Sequence, residues 1–367
     1  MSELSEISGG LSGGLSGGLS GGLSGGLSGG LSGGLSGGIT SPLEAGAQTK
    51  NRAALVGPFQ GATIPLTLPT PLDKPERLAY WAVGPRLLVC ELELLAGLHF
   101  NVNQAKESVS LSFTDLDKKP LKTQTLTRLV RPTAQIFKQQ LALVSNYADL
   151  REDRGAEILA QMTGGMPFVA SIVGLTAHRH KYTLELLDLM ISLGLHVKMR
   201  FKQSFACQRP VDLSPQIQPM IPTPGHASFP SGHATEAFMA ATVLQTLLPN
   251  GSKYKEQLER FAARCAVNRT VAGLHYPVDS AVGRLLGTAL AEFFVARCTG
   301  AKLHERGFDG RKFHGPNGHV IDFDPRVSMS DNQSGYYQLL PAAGTVPASP
   351  ILAFMWDKAA KECQPLK

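Results

Sequence analysis

The chain has 367 residues, of which 43% are hydrophobic and 17% charged, and a formal net charge of +6. This length and composition allow one large or two small globular domains with a sizeable core. The mild charge, with no basic stripe interleaved with aromatic residues, argues against nucleic acid as a partner. The five scattered cysteines lack metal-binding spacing, which favours free thiols in a reducing compartment over a disulfide framework.

The N-terminal region, residues 1–50, is dominated by a tandem Leu-Ser-Gly-Gly repeat over residues 7–38. Glycine and serine cannot build a compact core, so we expect a flexible tail. The periodic leucine leaves a second interpretation open, in which the tail binds a protein partner and the rest of the chain is a passenger. We find no secretory signal and no apolar run long enough to span a membrane, and therefore expect a cytoplasmic protein.

The remainder divides into a helical catalytic domain over residues 51–299 and a Gly- and Pro-rich extension over 300–367, which we expect to wrap the domain. Apolar periodicity and turn signals give the elements that precede the main motifs. These are irregular chain over 39–76, a helix within 78–98, a strand or hairpin at 108–113, one or two helices in 126–163 and a helix over 168–199. Helices over 234–248, 258–271 and 277–299 follow, and a short one is expected at 352–360.

The sequence is organised around residues 229–235, which read Phe-Pro-Ser-Gly-His-Ala-Thr. Ser231 follows a proline-rich loop and precedes an apolar helical pattern, which predicts a helix N-cap. The N-terminus of a helix favours an anion because it presents unpaired N–H groups and the positive end of the dipole. Gly232 allows close approach of the backbone to that anion, and His233 supplies a proton donor.

Two further clusters carry complementary chemistry. Lys202 and Arg209 precede the central segment, and Arg269, His275 and Asp279 follow it. Three cations, a helix N-terminus and two histidines suit a tetrahedral oxyanion that becomes five-coordinate. His275 is the candidate axial ligand or nucleophile, and Asp279, one helical turn later, can accept its other ring N–H.

Together the clusters resemble the signature of the superfamily that contains type 2 phosphatidic acid phosphatases, bacterial soluble acid phosphatases and vanadium haloperoxidases. That signature reads Lys-x6-Arg-Pro, Pro-Ser-Gly-His and Ser-Arg-x5-His-x3-Asp, and the one departure is Asn268 in place of the serine. The resemblance implies a mainly α fold, a helical bundle with its active site at helix ends. It also implies oxyanion binding by Lys202, Arg209, Ser231, Gly232 and Arg269, and catalytic roles for His233, His275 and Asp279.

Within this superfamily the sequence favours the soluble bacterial, haloperoxidase-like branch. His226 lies seven residues before His233, and the segment that joins them resembles the active-site segment of vanadium bromoperoxidases, so His226 is a further catalytic candidate. We therefore expect vanadate as a cofactor, held on His275 as its metal ligand, and oxidation of halide by hydrogen peroxide.

The alternative is a phosphatase that needs no cofactor and hydrolyses a phosphate monoester through a phosphohistidine at His275. The segment His275-Tyr-Pro-Val-Asp279 resembles the phosphatase pattern more than the haloperoxidase one. Small-molecule substrates are expected in both cases, and a homo-oligomer is left open.

Overall fold

The protein is described by a computed structural model that covers residues 42–51, 54, 61, 71–162 and 165–364. The Leu-Ser-Gly-Gly repeat lies outside these residues, so the flexible tail stays a prediction.

The α-helices are α1 Pro42–Asn51, α2 Val83–Leu95, α3 Ala134–Asn146, α4 Arg151–Ala160, α5 Met166–Val173, α6 Lys181–Phe205, α7 Pro210–Leu213, α8 Gly232–Leu247, α9 Lys255–Val271, α10 Pro277–Thr299 and α11 Pro350–Glu362. The strands are β1 Leu98–Asn103, β2 Ser108–Asp115, β3 Lys122–Val130, β4 Lys302–Asp309 and β5 Tyr337–Thr345. Short 3₁₀ turns lie at Pro75–Tyr80, Tyr147–Leu150, Pro215–Ile217, Gly251–Tyr254, Gly310–Lys312 and Pro316–Gly318.

The strands form one five-stranded mixed sheet in the order β1-β2-β3-β4-β5. Neighbouring strands are antiparallel except β3 and β4, which run parallel with Val130 opposite Asp309. The sheet packs on α10, where the rings of Phe113 and Phe293 lie 5.5 Å apart between centroids. The sheet therefore joins residues near 100–130 to residues beyond 300 and packs against one face of α10.

Helices α8 and α10 form the centre of the helical layer. A side chain at Gly283 would place its Cβ 2.7 Å from the Cβ of Ala234, and one at Gly287 would lie 2.3 Å from the carbonyl oxygen of Thr235. Both glycines are therefore required for the close approach of the two backbones. Gly283 also lies against the carbonyl of Ser231, so this contact fixes the start of α8, where the central motif lies.

Several local predictions are confirmed. The Ser231 hydroxyl caps α8 and accepts from the N–H of Ala234. Pro277 occupies the first turn of α10, and Gly300 ends that helix in the left-handed conformation with φ of 74°. The expected strand at 108–113 is part of β2, and the expected C-terminal helix is α11.

The fold class requires a correction, because the mainly helical protein also contains the mixed sheet. Residues 126–130, expected to be helical, belong to β3, where Leu126 and Leu129 are buried between β2 and β4. Residues 300–367 do not simply wrap the domain, since they supply β4, β5 and α11. In each case pairing with distant strands outweighs the local pattern.

Two helix boundaries also differ from expectation. Residues 42–51 form α1, although we expected tail and irregular chain there. The expected single helix over 168–199 is divided, because Gly174 ends α5 with φ of 72° and α6 begins at Lys181. In the part of the chain that the structure describes, no helix combines the length and apolar character required to cross a bilayer.

Candidate active site

The predicted site residues lie at the ends of five helices, α6 to α10. Lys202 lies in the last turn of α6, and Arg209 immediately precedes α7. Arg269 lies in the last turn of α9, whereas His233 is in the first turn of α8. His275 completes the set just before α10, and the N–H of Ser231 donates to the backbone carbonyl of Asp279 at 3.0 Å, which joins the start of α8 to α10.

Lys202 and Arg209 are held by carbonyl groups of the proline-rich loop. The Lys202 ammonium donates to the carbonyls of Ala227 (2.8 Å) and Ser228 (2.7 Å). Arg209 donates through Nε to the carbonyl of His226 and through Nη1 to that of Leu274, both at 2.9 Å. Burial lowers the pKa of Lys202 well below its ordinary value and that of Arg209 to about 10. The two cations are therefore preorganised by neutral acceptors, with further N–H groups available for a ligand.

His275 is buried and oriented by a carboxylate. Its Nδ1 lies 2.9 Å from Oδ2 of Asp279, an oxygen that also accepts from the N–H of Tyr276 (3.1 Å) and from the hydroxyl of Ser228. Because an ionised carboxylate only accepts, the contact assigns the proton to Nδ1 and leaves the lone pair on Nε2. Burial, together with the positive charges of Arg209 and Lys202, lowers the pKa of His275 well below its ordinary value.

Asp279 remains the anion of this pair near neutral pH. Burial raises its pKa to about 6, and hydrogen bonding from Ser228 and the positive charge of Lys202 oppose that rise. A neutral imidazole is thus held against an ionised carboxylate, which is the state required for attack or coordination by Nε2.

His233 and Arg269 retain unused hydrogen-bonding capacity. Nε2 of His233 and both Nε and Nη1 of Arg269 are buried, without a hydrogen-bond partner among the described residues. Burial lowers the pKa of His233 well below its ordinary value, and the positive charges of Arg269 and Lys198 add to the effect. Burial likewise lowers the pKa of Arg269 to about 10. Buried polar atoms of this kind are normally satisfied, which indicates that a ligand completes the site.

His226 lies beside Arg209, and its predicted catalytic role stays a prediction. Its Nδ1 lies 3.2 Å from Nη2 of Arg209 and 3.1 Å from the carbonyl oxygen of Ala227, so protein partners occupy this nitrogen in either tautomer. Burial, with the charge of Lys202, lowers its pKa to about 4. The ring therefore contacts Arg209 as a neutral neighbour.

Sequence reasoning missed several residues of the site. Ser228 bonds Asp279, and Lys198 forms a buried ion pair with Glu236. Lys198 also lies close to Gly232. A Cβ at position 232 would be 3.2 Å from the ammonium nitrogen of Lys198, so a glycine leaves room for this side chain. The position of Lys198 one helical turn before Lys202 was an available signal. Gln161 accepts a hydrogen bond from Arg269 at 3.0 Å. No sequence signal indicated this residue, because it follows α4 and is far from the site motifs in the chain.

Described residues include no group of three or more His, Cys, Asp or Glu side chains arranged to hold a metal ion. Vanadate is a different case, since the expected ligand is His275 alone and the cradle is cationic. The free Nε2 of His275 and the surrounding cations fit a tetrahedral oxyanion, whether phosphate or vanadate.

Comparison with known proteins identifies one family. The model of the PAP2 superfamily matches residues 183–301, a range that contains every site residue predicted from the sequence. A search of curated proteins gave no match. Among solved structures, the chain is similar to the first transmembrane PAP2 type phosphatidylglycerolphosphate phosphatase from Bacillus subtilis, with a TM-score of 0.35 and 20% identity over 44% of this chain and 85% of that one. The chain therefore contains a PAP2 superfamily domain, which occupies residues 183–301.

Proposed function

We propose that this chain is a phosphatase that hydrolyses phosphate monoesters through a phosphohistidine at His275. The observation that carries the proposal is buried positive charge that no direct ion pair neutralises. Lys202, Arg209 and Arg269 are at most 2% exposed, and none forms a direct ion pair with another described residue, although the charge of Asp279 opposes the lowering of the pKa of Lys202 and of Arg209. Because unpaired buried charge is unfavourable, a dianionic group that contacts all three would stabilise the site. The PAP2 match supports an enzyme.

The first step uses the orientation of His275. Its Nε2 attacks phosphorus, the bond from phosphorus to the ester oxygen breaks, and that oxygen leaves with a proton donated by His233. Lys202, Arg209 and Arg269 offset the negative charge of the five-coordinate transition state, as do the N–H groups at the start of α8. Each such preorganised donor typically contributes about 100- to 1000-fold in rate. Asp279 keeps Nδ1 of His275 protonated and stabilises the charge that develops on the ring.

The second step returns the enzyme to its starting state. Water gives a proton to His233 and attacks phosphorus, the nitrogen–phosphorus bond breaks, and orthophosphate leaves. His233 thus acts as the acid in the first step and the base in the second. Although its pKa is lowered in the free protein by burial and Arg269, a bound dianion raises that pKa and favours the protonated form.

The haloperoxidase prediction rested on His226, on the Lys-x6-Arg-Pro spacing and on the lack of a membrane-spanning segment. The Nδ1 of His226 contacts Arg209 and the carbonyl of Ala227, so the ring has a role in orienting Arg209 that either chemistry could use, and it does not favour halide oxidation over hydrolysis. The resemblance of the segment from His275 to Asp279 to the phosphatase pattern still favours hydrolysis. The vanadate cofactor, the haloperoxidase-like branch and the cytoplasmic location all stay predictions.

Trapping the covalent intermediate tests the proposal. The protein is mixed with para-nitrophenyl phosphate and quenched in alkali, where phosphohistidine survives, and the modified residue is located by mass spectrometry. We expect the phosphoryl group on His275, and a fall in kcat of at least about 10³-fold in His275→Gln. His99→Gln is the matched control, because His99 is exposed, and it should keep wild-type activity.

Orthovanadate separates the two chemistries. As an analogue of the transition state it should inhibit hydrolysis, and no bromide oxidation should follow when hydrogen peroxide is added. Vanadate-dependent bromination together with absent ester hydrolysis would overturn the proposal in favour of the haloperoxidase.

A further inference from the structure

The active site is contacted by a segment outside the PAP2 domain. Gln161 immediately follows α4, is 1% exposed and lies beside Arg269. Its Oε1 accepts from Nη2 of Arg269 at 3.0 Å, and the same Nη2 lies 3.2 Å from the carbonyl oxygen of Ile158. The backbone of Gln161 is also close enough to His233 to oppose the lowering of the pKa of that ring. One residue of this segment therefore contacts the arginine directly and lies beside the histidine.

Asn268 connects Gln161 to α9. Its Nδ2 donates to Oε1 of Gln161 (3.1 Å) and to Oε1 of Glu157 (2.9 Å), while its Oδ1 accepts from Nη1 of Arg154 (3.3 Å). The amide of Gln161 then donates to Glu157 at 3.1 Å, so the surrounding donors and acceptors fix its orientation. The serine of the family pattern carries one hydroxyl and could not make all three contacts of Asn268. The departure from the pattern thus coincides with this hydrogen-bond network.

The segment that bears Gln161 is anchored on the site by packing. Ile158 is fully buried in a small apolar cluster with Val271 and Leu274, which belong to the turn between Arg269 and His275. Arg151 donates from the start of α4 to the carbonyls of Val271 (3.0 Å) and Ile217 (3.1 Å). Gln161 therefore has a defined position relative to Arg269.

We propose that Gln161, held in place by Asn268, is a positioning residue that fixes Arg269 at the oxyanion site. The inference rests on the proposed function, since it assigns a role in binding the same phosphoryl group. A neutral amide occupies only one edge of the Arg269 guanidinium and leaves its charge intact. The two unpaired nitrogens, Nε and Nη1, remain available to an anion. A carboxylate at position 161 would instead compete with the anion for that charge.

The test is a double-mutant cycle read by oxyanion binding. Sulfate affinity is measured by calorimetry for wild type, Gln161→Glu, Arg269→Met and the double variant. We expect Gln161→Glu to weaken sulfate binding about tenfold or more in the wild-type background, as expected for a perturbed charge-assisted contact. In the Arg269→Met background, Gln161→Glu should change the sulfate affinity by less than about twofold, because the guanidinium on which Gln161 acts is absent.

Gln203→Glu is the matched control. Gln203 also accepts from an arginine, with its Oε1 2.6 Å from Nη1 of Arg200, but this contact is exposed. The same change of charge there should alter sulfate binding by less than about twofold because solvent screens it. If Gln161→Glu does not fold, Gln161→Met is used in the same cycle, since it keeps the length of the side chain without its acceptor.

Equal losses in the two backgrounds, or wild-type binding by Gln161→Glu, would overturn the inference. A protein that binds sulfate but hydrolyses no phosphate ester would contradict the proposed function and leave this cycle as a valid test of positioning. A protein that binds no sulfate or phosphate at all would overturn both.

Discussion

The two histidines of the site differ in what surrounds their rings. His275 is fixed by Asp279 at 2.9 Å, whereas Nε2 of His233 is buried without a partner in the described part of the chain. The motif predicted both residues, but only their surroundings distinguish the proposed nucleophile, whose tautomer is fixed, from the proposed proton-transfer group. Ser228, which contributes to that distinction by bonding Asp279, could not be singled out from sequence because serine is common in loops.

The charge of His233 should depend on whether an anion is bound. Burial and the charge of Arg269 lower its pKa in the free protein, and a bound dianion raises it. Binding of sulfate, whose own charge is constant near neutral pH, should therefore take up a proton between these two pKa values. Affinity should fall as pH rises across that interval, by up to about tenfold per pH unit.

Calorimetry in buffers of different ionisation enthalpy measures this proton uptake. His233→Gln should abolish the uptake, and His99→Gln should leave it unchanged. An unchanged pH slope in His233→Gln would assign the proton to another group.

The buried carboxyl group of Asp188, which lies outside the active site, should make the stability of the protein depend on pH. Burial, reinforced by the charge of Glu185, raises its pKa from 3.8 to about 7. A raised folded-state pKa means that the native protein binds more protons than the unfolded chain between these values. The free energy of unfolding should therefore decrease as pH rises from 3.8 to about 7.

Asp188→Asn tests this by urea denaturation at several pH values. The variant lacks the ionisation, so it should exceed the wild type in unfolding free energy at pH values above 7, by on the order of 1–3 kcal/mol. The two proteins should converge in mild acid. Parallel pH curves for the two proteins would contradict the prediction.

At the scale of elements, local chemistry determines where the main helices of the site begin and end. Ser231 caps α8, Pro277 opens α10 and Gly300 terminates it. These positions were predictable because capping depends on residues within one turn of each other. The crossing of α8 and α10 depends on Gly283 and Gly287, whose spacing indicated close approach without indicating the partner.

Gly287→Ala should destabilise the protein through this crossing. Its Cβ would lie 2.3 Å from the carbonyl oxygen of Thr235, a backbone atom that cannot move without separating the helices. We expect a loss of about 1–3 kcal/mol in the free energy of unfolding. Urea denaturation monitored by circular dichroism gives the value.

Gly84→Ala is the control, because Gly84 lies in helix α2 and a Cβ there meets no atom within 4 Å. It should be neutral or stabilising by up to about 1 kcal/mol. Similar losses at both positions would mean that the contact between α8 and α10 is not the cause.

On the scale of the whole molecule, the C-terminal residues are part of the core. β4 pairs with β3 through partners such as Val130 and Asp309, and Phe308 is buried beside Phe229 of the central segment, with ring centroids 6.3 Å apart. The composition of residues 300–367 suggested an extension because the segment is rich in glycine and proline. Strand pairing over such a distance in sequence leaves no local signal.

Removal of residues 300–367 should therefore prevent cooperative folding. It deletes β4, β5 and α11, exposes the edge of β3 and uncovers apolar surface on α10. The measurement is the thermal transition of the truncated chain by circular dichroism. Removal of residues 1–40 is the comparison, and this variant should keep both the transition and the hydrolytic activity. A cooperative transition in the C-terminal truncation would refute the structural role of these strands.

The sequence by itself determined the PAP2 superfamily assignment, because Lys202, Arg209, His233, Arg269 and His275 stand in motifs whose residue types and spacing predict an oxyanion site. It also determined helix ends, since these depend on neighbours in the chain. Only the tertiary structure decided the mixed sheet, the role of His226 beside Arg209 and the contact of Gln161 with Arg269. Those features join segments that are far apart in sequence, and their partners are selected by packing and burial, which no local pattern records.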